Sequence, residues 1–253
     1  KSKRKILQGS DYAVLPENFA HWENEKIKTT YWYRRNIPAN ILQIEGDYNR
    51  DNAAIVYEVG KIIGLKESQI IKSLGTFTGV VGRMQRVPDD KGRHVFVDYA
   101  VTPAAFEAIH KSVVKDYPKA KIIHIFGSTG GGRDKEKRPI KGAVAAKYCD
   151  AIIITDEESY GESVKEIIEQ IESGIPSDYS GEVMKIIDRM EALKTGLALA
   201  QKGDVVIASG MGGELTRNVS GSGDAESDTT KKLGGADIPW EEEKIMKALA
   251  IEM

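Results

Sequence analysis

The chain has 253 residues, 41% apolar and 29% charged, the composition of a folded globular protein and not of a disordered or fibrous one. Its 36 Lys and Arg against 38 Asp and Glu leave a net charge of −2, so bulk electrostatics supply no nucleic-acid partner and any anion site must be local. No apolar run approaches the roughly 18–20 residues of a membrane-crossing helix, no signal-peptide core follows the basic start at 1–5, and the single Cys149 excludes a disulfide framework or a zinc site built of cysteines. A cytoplasmic chain without a membrane partner is expected, and the missing initiating Met implies that it begins inside a longer gene product.

Residues 1 to about 45 carry β-like runs at Tyr12-Ala13-Val14-Leu15, Thr30-Tyr31-Trp32-Tyr33 and Ile41-Leu42-Gln43-Ile44, which predict a strand-rich fragment of a sheet. From Asn52 the pattern turns helical, with Ile55, Val59, Ile62 and Ile63 on one face and Gly64 as the stop. A second helix runs from Glu67 to Leu74 and ends at Gly75. Gly75, Gly79 and Gly82 punctuate a hinge, which places a domain boundary near residue 80, between 1–80 and 81–253.

Beyond it strand and helix alternate. Val95-Phe96-Val97 is a strand, and Thr102 caps a helix with Pro103 at its first position and Phe106, Ile109 and Val113 on one face. Lys121 to Phe126 is the next strand, a Gly-rich loop leads to a helix near Lys135 to Tyr148, and Ala151-Ile152-Ile153-Ile154 has the continuous apolar character of a buried parallel strand. A helix from Ser163 to Glu172, a strand from Val183 to Ile187, a helix opened by Asp188 through Leu199, and the strand Val205-Val206-Ile207-Ala208 complete the series. This alternation predicts an α/β fold, a doubly wound, mostly parallel Rossmann-like sheet, with ligands at the carboxyl ends of its strands. Arg217 to Gly235, rich in Gly, Ser, Asp and Thr, reads as a long mobile loop.

The loop Gly127-Ser128-Thr129-Gly130-Gly131-Gly132-Arg133-Asp134 stands where a strand end presents backbone N–H groups to anions, yet Arg133-Asp134 replaces the Lys-Ser/Thr pair of a phosphate-binding P-loop. A plain strand-to-helix turn is the other reading. Arg133, Lys135, Lys137 and Arg138 crowd a helix start, where the dipole disfavours cations; they read either as an anion site or as a solvated charged face. Asp98, also at a strand end, is placed to accept from a ribose hydroxyl or to satisfy nearby backbone donors. His21, His94, His110 and His124 show no metal-ligand spacing and are assigned to surface or sheet positions, so no metal site is expected. No Ser-His-Asp set is readable.

In order along the chain stand Gly46-Asp47-Tyr48-Asn49-Arg50-Asp51-Asn52-Ala53-Ala54, Gly79-Val80-Val81-Gly82-Arg83-Met84, Val97-Asp98-Tyr99-Ala100-Val101-Thr102-Pro103, Phe126-Gly127, Gly131-Gly132-Arg133-Asp134-Lys135-Glu136-Lys137-Arg138-Pro139, Ile154-Thr155-Asp156, Asp188-Arg189 and Gly203-Asp204-Val205-Val206. On these strings residues 40 to 250 resemble the Mur ligase family, most closely its UDP-N-acetylmuramoyl-tripeptide synthetase branch in peptidoglycan synthesis. The resemblance implies an ATP-dependent ligase that activates a carboxylate as an acyl phosphate and joins it to an amino acid, with Mg²⁺ as a further cofactor. It implies that residues 1–80 are the end of the central ATP-binding domain, and that the domains carrying the GKT phosphate loop and binding the UDP-N-acetylmuramoyl-peptide lie upstream. The 253 residues alone are then expected to be inactive, and monomeric.

On matching positions the resemblance implies that Asn49 and Asn52 hold the adenine side, Arg83 the ATP phosphates and Asp98 the ribose. Arg133 would grip the amino acid's carboxylate, and Gly210 and Glu214, in Gly210-Met211-Gly212-Gly213-Glu214, its ammonium group. Three strings depart from the family's: Val101 replaces the His of DYAHTP, GKGHE becomes Gly-Met-Gly-Gly-Glu, and the diaminopimelate-reading DNPR becomes Glu157-Glu158-Ser159-Tyr160. Without that Arg a side-chain carboxylate loses its bidentate partner, and Glu157 or Glu158 is expected to meet a cationic side chain such as that of lysine or ornithine. Two other readings share the fold, a non-catalytic nucleotide and amino-acid binding module and a folylpolyglutamate or cyanophycin synthetase-type ligase. All of them require Asp98, Arg133 and Glu214 to converge on one cleft.

Overall fold

The computed structural model describes residues 11–17, 29–33, 37, 40–219 and 236–252. The chain divides into two units, Lys1–Gly79 and Val80–Met253. In the first, β1 (Tyr12–Pro16) and β2 (Thr29–Tyr33) pair in parallel. They are followed by α1 (Asp47–Ile62) and α2 (Glu67–Thr76). Helix α1 begins five residues before the expected Asn52, because Gly46, at φ 102, supplies the turn that starts it. Gly64, at φ 84, stops the chain's helical course where the sequence placed it. The run Ile41 to Ile44, expected as a strand, is irregular chain with bends. Ile41 and Leu42 pack instead on the small cluster of Ala53, Ile70 and Leu74 that joins the two helices, so their apolar character reflects burial and not pairing.

In the second unit the elements run β3 (Gln85–Val87), β4 (His94–Asp98), α3 (Pro103–Asp116), β5 (Ile122–Phe126), α4 (Lys137–Ala146), β6 (Ala151–Ile154), α5 (Val164–Glu172), β7 (Glu182–Lys185), α6 (Arg189–Leu199), β8 (Val205–Ser209), β9 (Thr216–Val219), β10 (Ala236–Pro239) and α7 (Glu242–Glu252). Six strands form one sheet in the order β3-β4-β8-β5-β6-β7, parallel throughout except for the edge strand β3. The predicted α/β, mostly parallel sheet is therefore present. Thr102, Ser163 and Asp188 each cap a helix by accepting from the backbone three residues on, as expected of those residue types.

The strands read as continuous apolar runs because helices cover both faces. Phe106, Ile109 and Val113 of α3, Val144 and Ala145 of α4, and Ile167, Ile168 and Ile171 of α5 pack on one face with Ile122, Phe126, Ile152, Ile154 and Ile207. Leu193 and Leu197 of α6 and Met246 and Leu249 of α7 pack on the other with Ile123, Ile125, Ile153 and Val206. Truncating a side chain such as Phe106 to Ala would cost about 3–5 kcal/mol by the usual cavity penalty.

Three expectations are corrected here. Arg217 to Gly235 does not begin as a loop: Thr216–Val219 pairs antiparallel with Ala236–Pro239, and Arg217 and Asn218 are buried. Polar composition misled because those side chains are satisfied internally; residues 220–235 lie outside the described residues, as does His21. His124 stands on strand β5, a sheet position as expected, whereas His110 is buried on helix α3, neither at the surface nor in the sheet. The edge strand β3, the β9–β10 hairpin and α7 were not anticipated at all.

Candidate functional site

Because β4, β8, β5 and β6 are parallel neighbours, their carboxyl ends open on one edge of the sheet. The residues that follow them are Asp98-Tyr99, Gly210 to Glu214, Gly127 to Asp134, and Asp156 to Tyr160. Tight backbone contacts bring these loops together. A side chain at Gly82 would run into the backbone of Gly212 and Gly213, and one at Gly210, whose φ is 106, would strike the Glu157 carboxylate. Glycine is required at both places.

Six polar side chains form a connected row along this edge. The Arg83 guanidinium lies 4.5 Å over the Tyr99 ring. Burial, the charge of Glu214 and a hydrogen bond to that carboxylate push the Tyr99 phenol above its ordinary value. The Glu158 carboxyl is also raised, by burial foremost and by the charges of Glu157 and Glu214, against the lowering effect of its bond from Tyr160. Tyr160 donates to Glu158 Oε1 at 3.0 Å, and the Arg133 guanidinium lies 4.8 Å over the Tyr160 ring. Arg83, Arg133 and Glu214 are exposed, and Glu158 is half-buried. Neither arginine has a carboxylate partner among the described residues.

Beneath that row lies a layer of buried charge. Arg138 is wholly buried, binding both oxygens of Glu162 (2.8 and 2.9 Å), Gln170 and the Thr129 carbonyl. Lys141 donates to the Gly127 carbonyl and lies 3.7 Å from Glu157 Oε2. Arg189 makes a two-point pair with Glu242 at 2.6 and 2.7 Å, and donates to the carbonyls of Asp156 and Ser209. Arg217 bonds Asp156 Oδ2 at 3.0 Å and stacks on Trp240. These pairs tie the loops after β5, β6 and β8 to α4, α5, α6 and α7.

The placement of the expected site residues follows. Arg133, Glu158 and Glu214 share the edge with Arg83. Asp98 reaches the same place but is buried, its Oδ2 accepting from Met84 N at 2.7 Å and its Oδ1 from Ala100 N at 2.6 Å. It satisfies nearby backbone donors and so fixes the turn that carries Arg83; Met84 there has φ 44. Desolvation raises its pKa, with the two backbone bonds and Arg83 opposing. Glu157 is only 1% exposed and held by Thr129 at 2.9 Å and by Lys141, so it faces inward where Glu158 faces the edge. Gly210 N donates to the Asp98 carbonyl at 3.1 Å. Asn49 and Asn52 lie on α1 of the first unit, Asn49 donating to the Glu45 carbonyl and Asn52 exposed.

Two further readings are corrected. The Gly-rich loop offers no backbone cradle for an anion, because the N–H groups of Gly130, Gly131 and Gly132 already donate to Glu158 O, Ser159 O and Glu162 Oε2. Of the four crowded cations, Lys135 and Arg138 pair with Glu162 and Lys137 with Asp134, leaving Arg133. Most of that positive charge is compensated by Glu162, in the loop that leads into α5, which local sequence does not reveal. Tyr99 and Tyr160 are the site residues that pattern reading passed over. Their signal was an aromatic residue directly after a strand end in one case, and at the close of the Glu-Glu-Ser-Tyr string in the other.

A family model described as Mur ligase, glutamate ligase domain, matches residues 82–212, just over half of the chain and the whole of the strand-tip site up to Gly212. The chain belongs to the Mur ligase family. This Mur ligase chain is 38% identical over 203 residues to a UDP-N-acetylmuramyl-tripeptide synthetase of Treponema denticola, a match covering 78% of the chain and 38% of that protein. It is 36% identical over 184 residues to a UDP-N-acetylmuramoyl-L-alanyl-D-glutamate--2,6-diaminopimelate ligase of Bacteroides thetaiotaomicron, covering 71% of the chain and 37% of that protein. The chain thus spans well under half the length of these curated relatives. In fold it is similar to a solved UDP-N-acetylmuramoyl-L-alanyl-D-glutamate--2,6-diaminopimelate ligase (TM-score 0.58, 22% identity, covering 99% of this chain and 55% of that one). It is also similar to a Mycobacterium tuberculosis folylpolyglutamate synthase (TM-score 0.52, 15% identity, covering 67% and 38%).

Proposed function

We propose that the chain contributes the amino-acid site, and part of the nucleotide site, of an ATP-dependent ligase that extends a UDP-N-acetylmuramoyl-peptide by one basic amino acid. The observation that carries the reading is the row Arg83, Tyr99, Glu214, Glu158, Tyr160 and Arg133 at the strand ends. Two carboxylates stand between two guanidinium groups, a complement to an amino acid that carries two cations and one carboxylate. The exposed Arg133 guanidinium takes the α-carboxylate in a two-point bond. Glu214, oriented by Tyr99, takes the α-ammonium and so fixes the amine that attacks. Glu158, oriented by Tyr160, takes the side-chain cation.

Diaminopimelate is disfavoured, because its second carboxylate would meet the Glu158 carboxylate while Arg133, the arginine beside Tyr160, is taken by the α-carboxylate. ATP and Mg²⁺ belong to the reading because members of this family use phosphoryl transfer to activate a carboxylate; ATP supplies that phosphoryl group. Arg83, exposed and without a carboxylate partner among the described residues, fits a phosphate. Asp98 accepts one backbone N–H on each oxygen, which leaves a lone pair on each for a ribose hydroxyl. The 253 residues contain no GKT loop, so binding is the property they are expected to show alone, and turnover is expected once a GKT-bearing segment is joined to them.

The test is calorimetric titration of the chain with L-lysine, L-ornithine, meso-diaminopimelate, norleucine and L-glutamate. Lysine or ornithine should bind best. Tighter binding of norleucine, glutamate or diaminopimelate would overturn the assignment.

A further inference from the structure

Below the strand tips, on the face covered by α3 to α5, three metal-binding side chains meet that the site above does not use. His110 on α3, His124 on β5 and Cys149 on the turn after α4 are all buried, and one donor atom from each lies within 4.8 Å of the others. His110 Nε2 is 3.0 Å from His124 Nδ1 and 3.4 Å from Cys149 Sγ. Metal bonds of about 2.0 Å to nitrogen and about 2.3 Å to sulfur at the roughly 120° angles of a three-coordinate site require donor separations of roughly 3.5 and 3.7 Å. Two edges of the triangle are within about half an ångström of that geometry, and the third, no longer than 4.8 Å, closes with a rotation of the Cys149 side chain.

The surroundings favour ligation by neutral imidazole. Ser209 Oγ lies 2.8 Å from His124 Nε2, and a proton held on that nitrogen leaves the Nδ1 lone pair for the metal. The Phe106 ring packs against both imidazoles, at 4.7 and 6.0 Å between centroids, which keeps water out.

Charge then selects the ion. Lys141 and Arg189 already place positive charge on His124. A divalent ion with one thiolate would leave a net positive charge in this dry core, whereas a monovalent ion with one thiolate leaves none. Sulfur with two imidazoles suits a soft ion content with three ligands. We propose that His110, His124 and Cys149 form a three-coordinate site for a soft monovalent cation, Cu⁺ or Ag⁺, whose binding displaces the Cys149 thiol proton to solvent.

The test is an anaerobic titration of the 253-residue chain with Cu⁺ in competition with bicinchoninate. One equivalent should be withheld from the chelator with release of one proton, and X-ray absorption should show one sulfur and two nitrogen neighbours. Cys149→Ala should weaken retention at least about 100-fold, since losing a ligand costs more than the roughly 10- to 100-fold of losing an outer partner. Equal retention by wild type and C149A, tighter binding of Zn²⁺ than of Cu⁺, or a metal shell without histidine nitrogen would each overturn the proposal. If C149A fails to fold, ¹⁵N shifts of the two imidazoles in the wild-type chain decide: they should move at one equivalent of Ag⁺, and unmoved shifts refute the site.

Discussion

Along the strand tips Arg83, Arg133, Glu158 and Glu214 are open or half open to water and linked through two tyrosines, whereas a few ångströms deeper Arg138, Lys141, Glu157 and Arg189 are buried and met by groups inside the fold. The residue types are the same in both layers, and Glu157 and Glu158 are adjacent in the chain. What separates them is compensation. A charge whose partner is supplied from another helix holds loops together, and a charge left facing the edge is available to a ligand.

Breaking the deeper layer should have the largest effect. Arg189→Met leaves Glu242 buried without its partner, and removal of one member of such a pair costs about 3–5 kcal/mol, measurable by urea unfolding. Arg189→Met/Glu242→Leu should recover much of that loss, because two charges leave the core together. In the upper layer Arg133→Ala should change unfolding free energy by no more than about 0.5 kcal/mol. It should nonetheless weaken amino-acid binding roughly 10- to 100-fold in calorimetry, through loss of charge-assisted hydrogen bonds.

The adjacent glutamates sharpen the contrast further. Glu157→Gln, which strips Lys141 of its countercharge, should lower stability by about 1–3 kcal/mol. Glu158→Gln should leave stability nearly unchanged and reduce the preference for lysine over norleucine. A further contrast is one of pH. Hydrogen bonds from Arg138, with help from Gly132 N–H and Lys135 and against burial, hold the Glu162 carboxyl well below its ordinary value of 4.5. Between the folded and unfolded values the unfolded chain binds the extra proton, so the contribution of Glu162 is full above about pH 4.5 and is lost as pH falls toward the folded value. Thermal melts across the acid range should therefore fall less steeply in Glu162→Gln than in the wild type.

The frame of the second unit was legible because its signals are local. Thr102, Ser163 and Asp188 announce helix starts, and runs such as Ala151 to Ile154 announce strands covered on both sides. Of the exposed and half-exposed members of the site, Arg133 was legible from its place after a strand end, whereas Arg83, Glu158 and Glu214 were reached through the family's strings. The buried layer was not, since Arg138 finds Glu162 24 residues away, Arg189 finds Glu242 53 away and Arg217 finds Asp156 61 away. In sequence Lys135 to Arg138 looks like an anion site or a solvated patch, and it is the loop before α5, carrying Glu162, that pairs with Lys135 and Arg138. The His110, His124 and Cys149 cluster was hidden for the same reason, its members coming from a helix, a strand and a turn without shared spacing.

Strand β8 lies between β4 and β5, although it follows both by way of three further helices and two strands. A nascent chain emerging from the ribosome therefore has β4 and β5 in hand long before the strand that joins them, and until then each exposes an unpaired inner edge. The same late arrival delivers Ser209, Gly210 and Glu214, so the ligand edge and the middle of the sheet are finished by one event. A chain released before residue 209 has been translated lacks that seam, and it is in this interval that a holding chaperone would matter most.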